Sequence, residues 1–364
     1  MKTNLSLTGK IVKIHSDFIY VKSADIVYEC KIRERLKKEK TEIFTGDNVR
    51  IEEINSVTNQ AVVVEALERK NYLVRPSVAN VDQVIAVAAL SQPGLDFIQL
   101  NRYLCMAKLH NIPALICINK IDLEKNKENL AEKIQSIYEP LNYQVVFTSA
   151  MDGSGFDFFQ NYLSGKISVL AGMSGVGKSS LLNKLCPDLN LRTKKVSSKS
   201  GKGIHTTRHT ELIEIYLPEK DASCQIADTP GFSYLKFDNI LPSEVMNLFD
   251  EIKNFSEECY YSDCLHLEEE NCNVINNLDK IDETRYLSYK TFVKEAFEYK
   301  KQLENTGQKQ ESAIKTIDSG GKGKTRLFKA GIQAKEDSRK KSRQKINPVS
   351  IMDDVYYNRE ELDS

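Results

Sequence analysis

Apolar and polar positions alternate in short runs along the first seventy residues. The runs are "GKIVKIHSDFIYVKS", "IVYECKIR", "DNVRIEEI" and "QAVVVEAL", separated by Asp, Asn, Gly and charged turns. A period of two marks half-buried strands, and about five of them in about seventy residues predict a small β-barrel of the OB type. The pattern changes at "RKNYLVRPSVANVDQ", which reads as a linker. From Val81 onward, continuous apolar runs replace the alternation: "VDQVIAVAAL", "PALICIN", "YQVVFTSA" and "KISVLAG". The amphipathic stretches "DFIQLNRYLCMAKLHN" and "LEKNKENLAEKIQSIYEPL" and a short helix at Gly155–Leu163 lie between them. Strands apolar on both faces, alternating with helices, predict a doubly wound parallel sheet. This rhythm stops after Asp228, and residues 242–304 read as helical. No internal repeat is present.

The expected organisation is therefore multidomain. It comprises an OB-fold β-barrel over residues 1–70, an α/β domain over 71–240, a mostly helical module over 241–305, and a tail over 306–364 without regular structure.

Composition narrows the class without changing this outline. A chain of 364 residues, 41% hydrophobic and 28% charged, has room for two or three packed cores. Net charge is zero, so any attraction to nucleic acid must come from local patches. The N-terminus lacks the apolar core of a signal peptide, and no run approaches the ~18 apolar residues of a membrane span, so no membrane partner is expected. Cys30, Cys105, Cys117, Cys186 and Cys224 are scattered singly, as reduced thiols of a cytoplasmic protein would be. Residues 306–350 carry twelve Lys and Arg against four Asp and Glu, and the final "DDVYYNREELDS" is acidic.

Chemistry enters at "GMSGVGKS", Gly172–Ser179, which fits G-x-x-x-x-G-K-[ST] between the apolar "ISVLA" and the helix-like "SSLLNKLC". In such a loop Gly172, Met173, Ser174, Gly175, Val176, Gly177, Lys178, Ser179 and Ser180 surround phosphates with backbone N–H groups and a helix N-terminus. Lys178 is expected to bridge the β- and γ-phosphates, and Ser179 to give its hydroxyl to Mg²⁺. Downstream, "CQIADTPGF" ends an apolar strand on Asp228, a carboxylate suited to hold Mg²⁺ through water, with the Gly231 N–H placed to sense the γ-phosphate.

"INKID", Ile118–Asp122, ends an earlier strand and reads as a guanine reader. Asp122 can accept from guanine N1–H and N2–H₂ together, whereas adenine would leave that carboxylate unpaired. Asn119 could bond N7 and steady the loop, and the Lys120 stem could cover the purine face. In "TSA", Thr148–Ala150, Ser149 and the Ala150 N–H end the next strand, where O6 would lie. In common small GTPases the phosphate loop comes first and the base reader last; here the order is inverted. A parallel sheet determines which strand ends lie side by side, not the direction in which the chain visits them. Joining the old ends and cutting new ones keeps every site residue in place, which predicts a circularly permuted P-loop GTPase domain. The new exit falls just after "DTPGF", so the chain beyond it is tethered to a nucleotide-sensing segment.

Cys259, Cys264, His266 and Cys272 form C-x4-C-x-H-x5-C, a closed set for structural Zn²⁺. The alternative is three buried thiols and a surface histidine. Polar company in "ECYYSDCLHLEEENC" favours the metal, and a small stapled module beside a barrel and a basic tail suggests RNA contact.

Together these motifs resemble the RsgA family, circularly permuted GTPases that assist maturation of the small ribosomal subunit. The resemblance covers residues 1 to about 304 and includes "NKID", "TSA", "GMSGVGKSSLLN", "GKGIHTTR", "DTPGF", "CYYSDCLHLEEENC" and "RYLSYKTF". It implies that Gly201–Arg208 is the first switch, with Thr206 or Thr207 near Mg²⁺ and the γ-phosphate. It also implies GTP and GDP as ligands, and 16S rRNA near the decoding region as the docking site. Phe232 stands where Ras-type enzymes carry a water-orienting glutamine, so unassisted turnover should be slow. His205 is the candidate catalytic group once the ribosome orders that loop; the alternative is a solvated loop histidine. The basic tail is a candidate for phosphate contacts, or else a solvated extension. The expected function is a monomeric GTPase whose hydrolysis releases it from the small subunit. The runner-up is a nucleotide-dependent RNA-binding module in which hydrolysis is incidental.

Overall fold

The computed structural model describes residues 2–3, 6–39, 41–73, 76–189, 210–228, 240–305, 314–318 and 324–328. Strands β1 (Lys2–Thr3), β2 (Leu7–His15), β3 (Phe18–Ser23) and β4 (Ile26–Ile32) are followed by the short helix α1 (Glu34–Lys38), β5 (Asn48–Asn55) and β6 (Gln60–Ala66). Spatial order is β1-β5-β6-β4-β3-β2, and a further β5–β2 pairing closes the barrel. Alternation explains the closure. Ile11, Ile19, Val21, Cys30, Val49, Ile51 and Val63 point inward and are almost wholly buried. Polar neighbours face water.

After a two-stranded pair, β7 (Tyr72–Leu73) with β8 (Val78–Ala79), come β9 (Gln83–Ala89), α2 (Phe97–Leu109), β10 (Ala114–Asn119), α3 (Lys127–Tyr138) and β11 (Gln144–Phe147). The run continues through α4 (Phe156–Leu163), β12 (Ile167–Ala171), α5 (Lys178–Leu185), β13 (Glu211–Leu217) and β14 (Ala222–Asp228). The sheet runs β13-β14-β12-β9-β10-β11, parallel throughout except for β13. Every residue of β9 and β12 is buried, as the continuous apolar runs require. One sheet face packs on α2 and α3 through Leu100, Leu104, Ile134 and Tyr138. The other packs on α4 and α5 through Phe156, Phe159, Leu181 and Leu182.

Barrel and sheet are one 12-stranded surface, because Lys13 of β2 pairs with Glu211 of β13. The Lys13–Glu211 ion pair at 2.8 Å and a second one, Lys22–Glu214, reinforce that seam. A groove of about 620 Å³ runs along it, and none of the expected nucleotide residues lines it.

The helical module contains a 3₁₀ run at Pro242–Leu248, α6 (Asp250–Ser256) and the long α7 (Glu283–Asn305). It docks on the α/β domain through a buried polar joint. Arg285 of α7, 1% exposed, donates to Glu251 of α6 at 2.6 Å and to Asn101 of α2 at 2.9 Å. Asn101 donates to Ser288 at 2.8 Å and accepts from the Tyr138 hydroxyl of α3 at 2.9 Å. The next residue of α2, Arg102, makes a two-pronged contact with Glu295 at 2.6 and 2.7 Å.

Residues 313–364 form a separate unit. Here the expectation of no regular structure meets an antiparallel pair, β15 (Ile314–Asp318) with β16 (Lys324–Phe328). Its local cause is legible: "IKTID" and "KTRLF" flank the glycine-rich "SGGKG", a hairpin signal outweighed by the charge of the tract. Among the described residues, no helix is long and apolar enough to cross a membrane.

Candidate nucleotide site and metal centre

Parallel pairing places the carboxyl ends of β12, β9, β10 and β11 along one edge, where open α/β sheets bind ligands. The phosphate loop leaves β12 and enters α5 at Lys178. Gly177 has φ +98°, and a Cβ there would lie 2.2 Å from the Asn119 amide nitrogen. Only glycine permits both that conformation and that approach. A Cβ on Gly172 would lie 2.4 Å from the Val87 carbonyl oxygen of β9, so this glycine lets the loop cross its neighbouring strand.

Asn119, at the end of β10, is fully buried and joins the two halves of the site. Its Nδ2 donates to the Val176 carbonyl of the phosphate loop at 3.0 Å, while its Oδ1 accepts from the Thr148 hydroxyl at 3.3 Å. The side chain is thus a strut from the "INKID" loop to the phosphate loop and to the "TSA" loop. Lys120 has φ +63°, and its ammonium donates to the Gln92 carbonyl. Asp122 stands exposed in the 3₁₀ turn Ile121–Leu123, whose first N–H bonds the Thr148 carbonyl at 3.3 Å. Ser149 is buried, and its hydroxyl accepts from Met151 and Asp152 N–H groups, both at 3.2 Å. Ala150 follows it, half-buried, at the same edge.

Lys178 is the charged centre of the loop. Its Nζ donates to the carbonyls of Gly172 at 2.6 Å and Met173 at 2.9 Å. Burial, with no carboxylate offsetting it among the described residues, pulls its pKa down to about 8. A half-buried ammonium held by carbonyls alone fits a polyphosphate, which would supply the missing negative charge. Met173 is half-buried, Ser174 exposed, Val176 buried, and Ser179 and Ser180 half-buried at the start of α5.

Asp228 closes β14, one residue beyond the Val169–Ala227 pair, so its backbone stands near the carboxyl end of β12, two residues short of the phosphate loop. The candidates His205, Thr206, Thr207 and Gly231 lie outside the described residues, as does Phe232. Two contributors escaped the sequence reading. Thr148 carries a structural hydroxyl for which "TSA" was the available signal. The Gln92 carbonyl that receives Lys120 had none.

In the helical module, the Cys259, Cys264, His266 and Cys272 donor atoms all lie within 4.8 Å of one another. Cys259 and Cys272 sulfurs are 3.8 Å apart, and His266 Nδ1 is 3.6 and 3.4 Å from them. A tetrahedral zinc site with ordinary bond lengths has edges of about 3.8 Å between sulfurs and about 3.6 Å between sulfur and nitrogen. The three edges among Cys259, His266 and Cys272 match that ion, with the Cys264 sulfur within the same 4.8 Å. Burial pushes the Cys264 thiol up to about 12, raises Cys272, and lowers His266 toward its neutral form. A dication would reverse the thiol shifts, since coordinated sulfur is deprotonated.

The surrounding chain is stiffened to hold this geometry. Glu269 accepts from the N–H groups of Leu265 at 2.7 Å, Leu267 at 2.7 Å and Glu268 at 3.1 Å. Burial alone would raise its pKa, and these bonds keep it low instead. From α7 the Tyr286 and Tyr289 hydroxyls donate to the carbonyls of His266 at 2.9 Å and Leu265 at 2.8 Å.

A parallel sheet whose phosphate loop is visited after the strand ending in "INKID" defines a circularly permuted P-loop GTPase, here carrying a closed barrel and a Cys₃His module. Family models agree across the chain. The RsgA GTPase model matches residues 66–238, the RsgA N-terminal domain residues 8–62, and a 50S ribosome-binding GTPase model residues 167–312. Two curated relatives are both called small ribosomal subunit biogenesis GTPase RsgA. The one from Bacillus cereus (strain ATCC 10987 / NRS 248) is 42% identical over 296 residues, 80% of this chain and 98% of the relative. The one from Caldanaerobacter subterraneus subsp. tengcongensis is 38% identical over 297 residues, 81% of this chain and 97% of the relative. Among solved structures, YjeQ from Thermotoga maritima matches with a TM-score of 0.68 at 32% identity, covering 80% of this chain and 99% of its own. YloQ, described as a circularly permuted GTPase, matches with a TM-score of 0.66 at 32% identity, covering 81% and 96%. The chain belongs to the RsgA family of GTPases, and its activity is hydrolysis of GTP.

Proposed function

We propose that this GTPase binds the immature small ribosomal subunit through 16S rRNA and assists its late maturation, with GTP favouring the bound form and hydrolysis promoting release. The nucleotide half of the reading rests on the Asn119 amide bonded to the Val176 carbonyl, which brings a guanine-reading loop against a phosphate cradle. The ribosomal half rests on relatives named for the small subunit that match four-fifths of the chain, barrel included. The 50S-named family model covers only 167–312 and therefore omits the barrel, so the longer matches decide the subunit.

In this reading Asp122 selects guanine, Lys120 covers the purine, and Ser149 with Ala150 closes the O6 side. Asn119 serves chiefly as the strut between loops. Gly172 to Ser180 hold the phosphates, with the Lys178 charge placed among them and the Gly231 N–H sensing the γ-phosphate. Ser179, Asp228 and Thr206 or Thr207 would hold Mg²⁺, which neutralises charge developing on the phosphates. Phe232 cannot orient water, so turnover is slow alone and stimulated by the subunit, with His205 reaching the water in the docked state. Cys259, Cys264, His266 and Cys272 bind one structural Zn²⁺. The protein works as a cytoplasmic monomer.

Phosphate release, followed with GTP or ATP and with or without purified small subunits, tests the whole reading. Strong stimulation on GTP alone is expected. Equal use of ATP would overturn the base assignment, and GTP turnover indifferent to the subunit would overturn the ribosomal one.

A further inference from the structure

The Cys₃His module presents an aromatic pair to solvent. Tyr260 is 79% and Tyr261 50% exposed, with rings 4.9 Å apart and nearly perpendicular at 84°. Their backbone is held firmly, because Cys259 and Cys264 on either side turn into the thiol cluster and the Cys264 N–H bonds the Tyr261 carbonyl at 3.3 Å. Two bare rings on a rigid turn are unusual on a surface that must stay soluble, and they mark a contact site.

The charge around them selects the partner. No Lys or Arg occurs between Asn254 and Asp279. Glu257, Glu258, Asp263, Glu268 and Glu270 are exposed or half-exposed in that stretch, whereas Glu269 is turned inward onto backbone N–H groups. Nucleotide bases stacked on the tyrosines would carry their phosphates among these carboxylates. Repulsion of that kind disfavours RNA at this face, contrary to what a metal-stapled module by itself suggested. Guanidinium and ammonium groups suit it twice over: the ring faces attract cations, and the flanking carboxylates pair with them. We propose that the Tyr260–Tyr261 turn is a docking surface for a Lys/Arg-rich polypeptide segment of a protein partner, with RNA contacts made elsewhere on the chain. This does not depend on the assignment of the nucleotide site.

The test uses the full zinc-loaded chain and two fluorescent probes, a short peptide of repeating Arg, Lys and Ser and an oligouridylate of equal length, with binding read by anisotropy. Two variants are compared with the unaltered chain, Tyr260→Ser with Tyr261→Ser, and Glu257→Gln with Glu258→Gln and Asp263→Asn. Zinc content and melting temperature verify that each is folded. Loss of both rings should weaken the peptide about tenfold, the combined effect of two exposed cation–ring contacts, and leave the oligouridylate unchanged. Loss of the carboxylates should weaken the peptide and flatten its salt dependence. Peptide binding unaltered in both variants would overturn the proposal. So would an oligouridylate that loses affinity with the tyrosines, which would make the turn a base-stacking surface. Should the tyrosine variant fail to fold, the carboxylate variant decides alone.

Discussion

If Lys178 holds phosphates as proposed, nucleotide affinity should depend on pH in a way set by its surroundings. Its ammonium rests on two loop carbonyls, and burial pulls its pKa down to about 8 from the ordinary 10.5. Bound phosphates favour the charged form, so the pKa of the complex lies above that of the free protein. A group whose pKa rises on binding strengthens binding below its free-state value, and that gain is lost as pH climbs from the free toward the bound value. Affinity should therefore be level below about pH 7 and about tenfold weaker by about pH 9, the fall expected for a free-state value near 8. The assay is equilibrium titration with a fluorescent guanine nucleotide between those limits, repeated on Lys178→Met. Guanine and phosphate ionisations are common to both proteins, so the difference between profiles isolates the lysine. The variant should bind more weakly throughout and lack the falling limb, with the two curves converging at high pH. Identical slopes, or affinity of the unaltered chain that rises with pH, would refute the reasoning.

Three further outcomes are expected. Asp122→Asn should lower GTP affinity by about a hundredfold or more by losing the paired acceptor for N1–H and N2–H₂, and should gain affinity for xanthosine triphosphate, whose C2 carbonyl accepts from an amide; competition titration measures both. Arg285→Met should cost about 3–5 kcal/mol in denaturant unfolding, because Glu251 is left buried without its cation, and adding Glu251→Gln should recover part of that loss. If the cluster binds zinc as proposed, Cys264→Ala should abolish stoichiometric zinc and speed amide exchange in the first turns of α7, where Tyr286 and Tyr289 hold the backbone of His266 and Leu265; exchange unchanged after zinc loss would show that the loop stands without the ion.

Much of the architecture is legible from local pattern. The alternation in "GKIVKIHSDFIYVKS" and the solid apolar run of "VIAVAA" each concern a few adjacent residues, and each became the strand type that its period required. The phosphate loop was equally plain, since its glycines answer to φ values and close approaches at the same positions. The pairing of β15 with β16 is harder to see, because the charge of the tract masks a two-strand period interrupted by glycines. Arg285 reads as one more charged residue of a helix. Only packing against α2 and α6 makes it the buried centre of an inter-element joint.

Local sequence already specifies which chemistry is available: a glycine-lined phosphate loop, an asparagine and an aspartate three residues apart, and a donor set of three thiols and an imidazole. Their spacing is short enough for the backbone to dictate local geometry. Long-range packing is what puts β9 between β12 and β10, so that Asn119 reaches Val176 across 57 residues of chain. It likewise decided that the barrel shares an edge with β13 and that Glu269 turns inward while its acidic neighbours face water. Pairings between distant segments depend on how whole faces exclude water together, and no short window of residues carries that information.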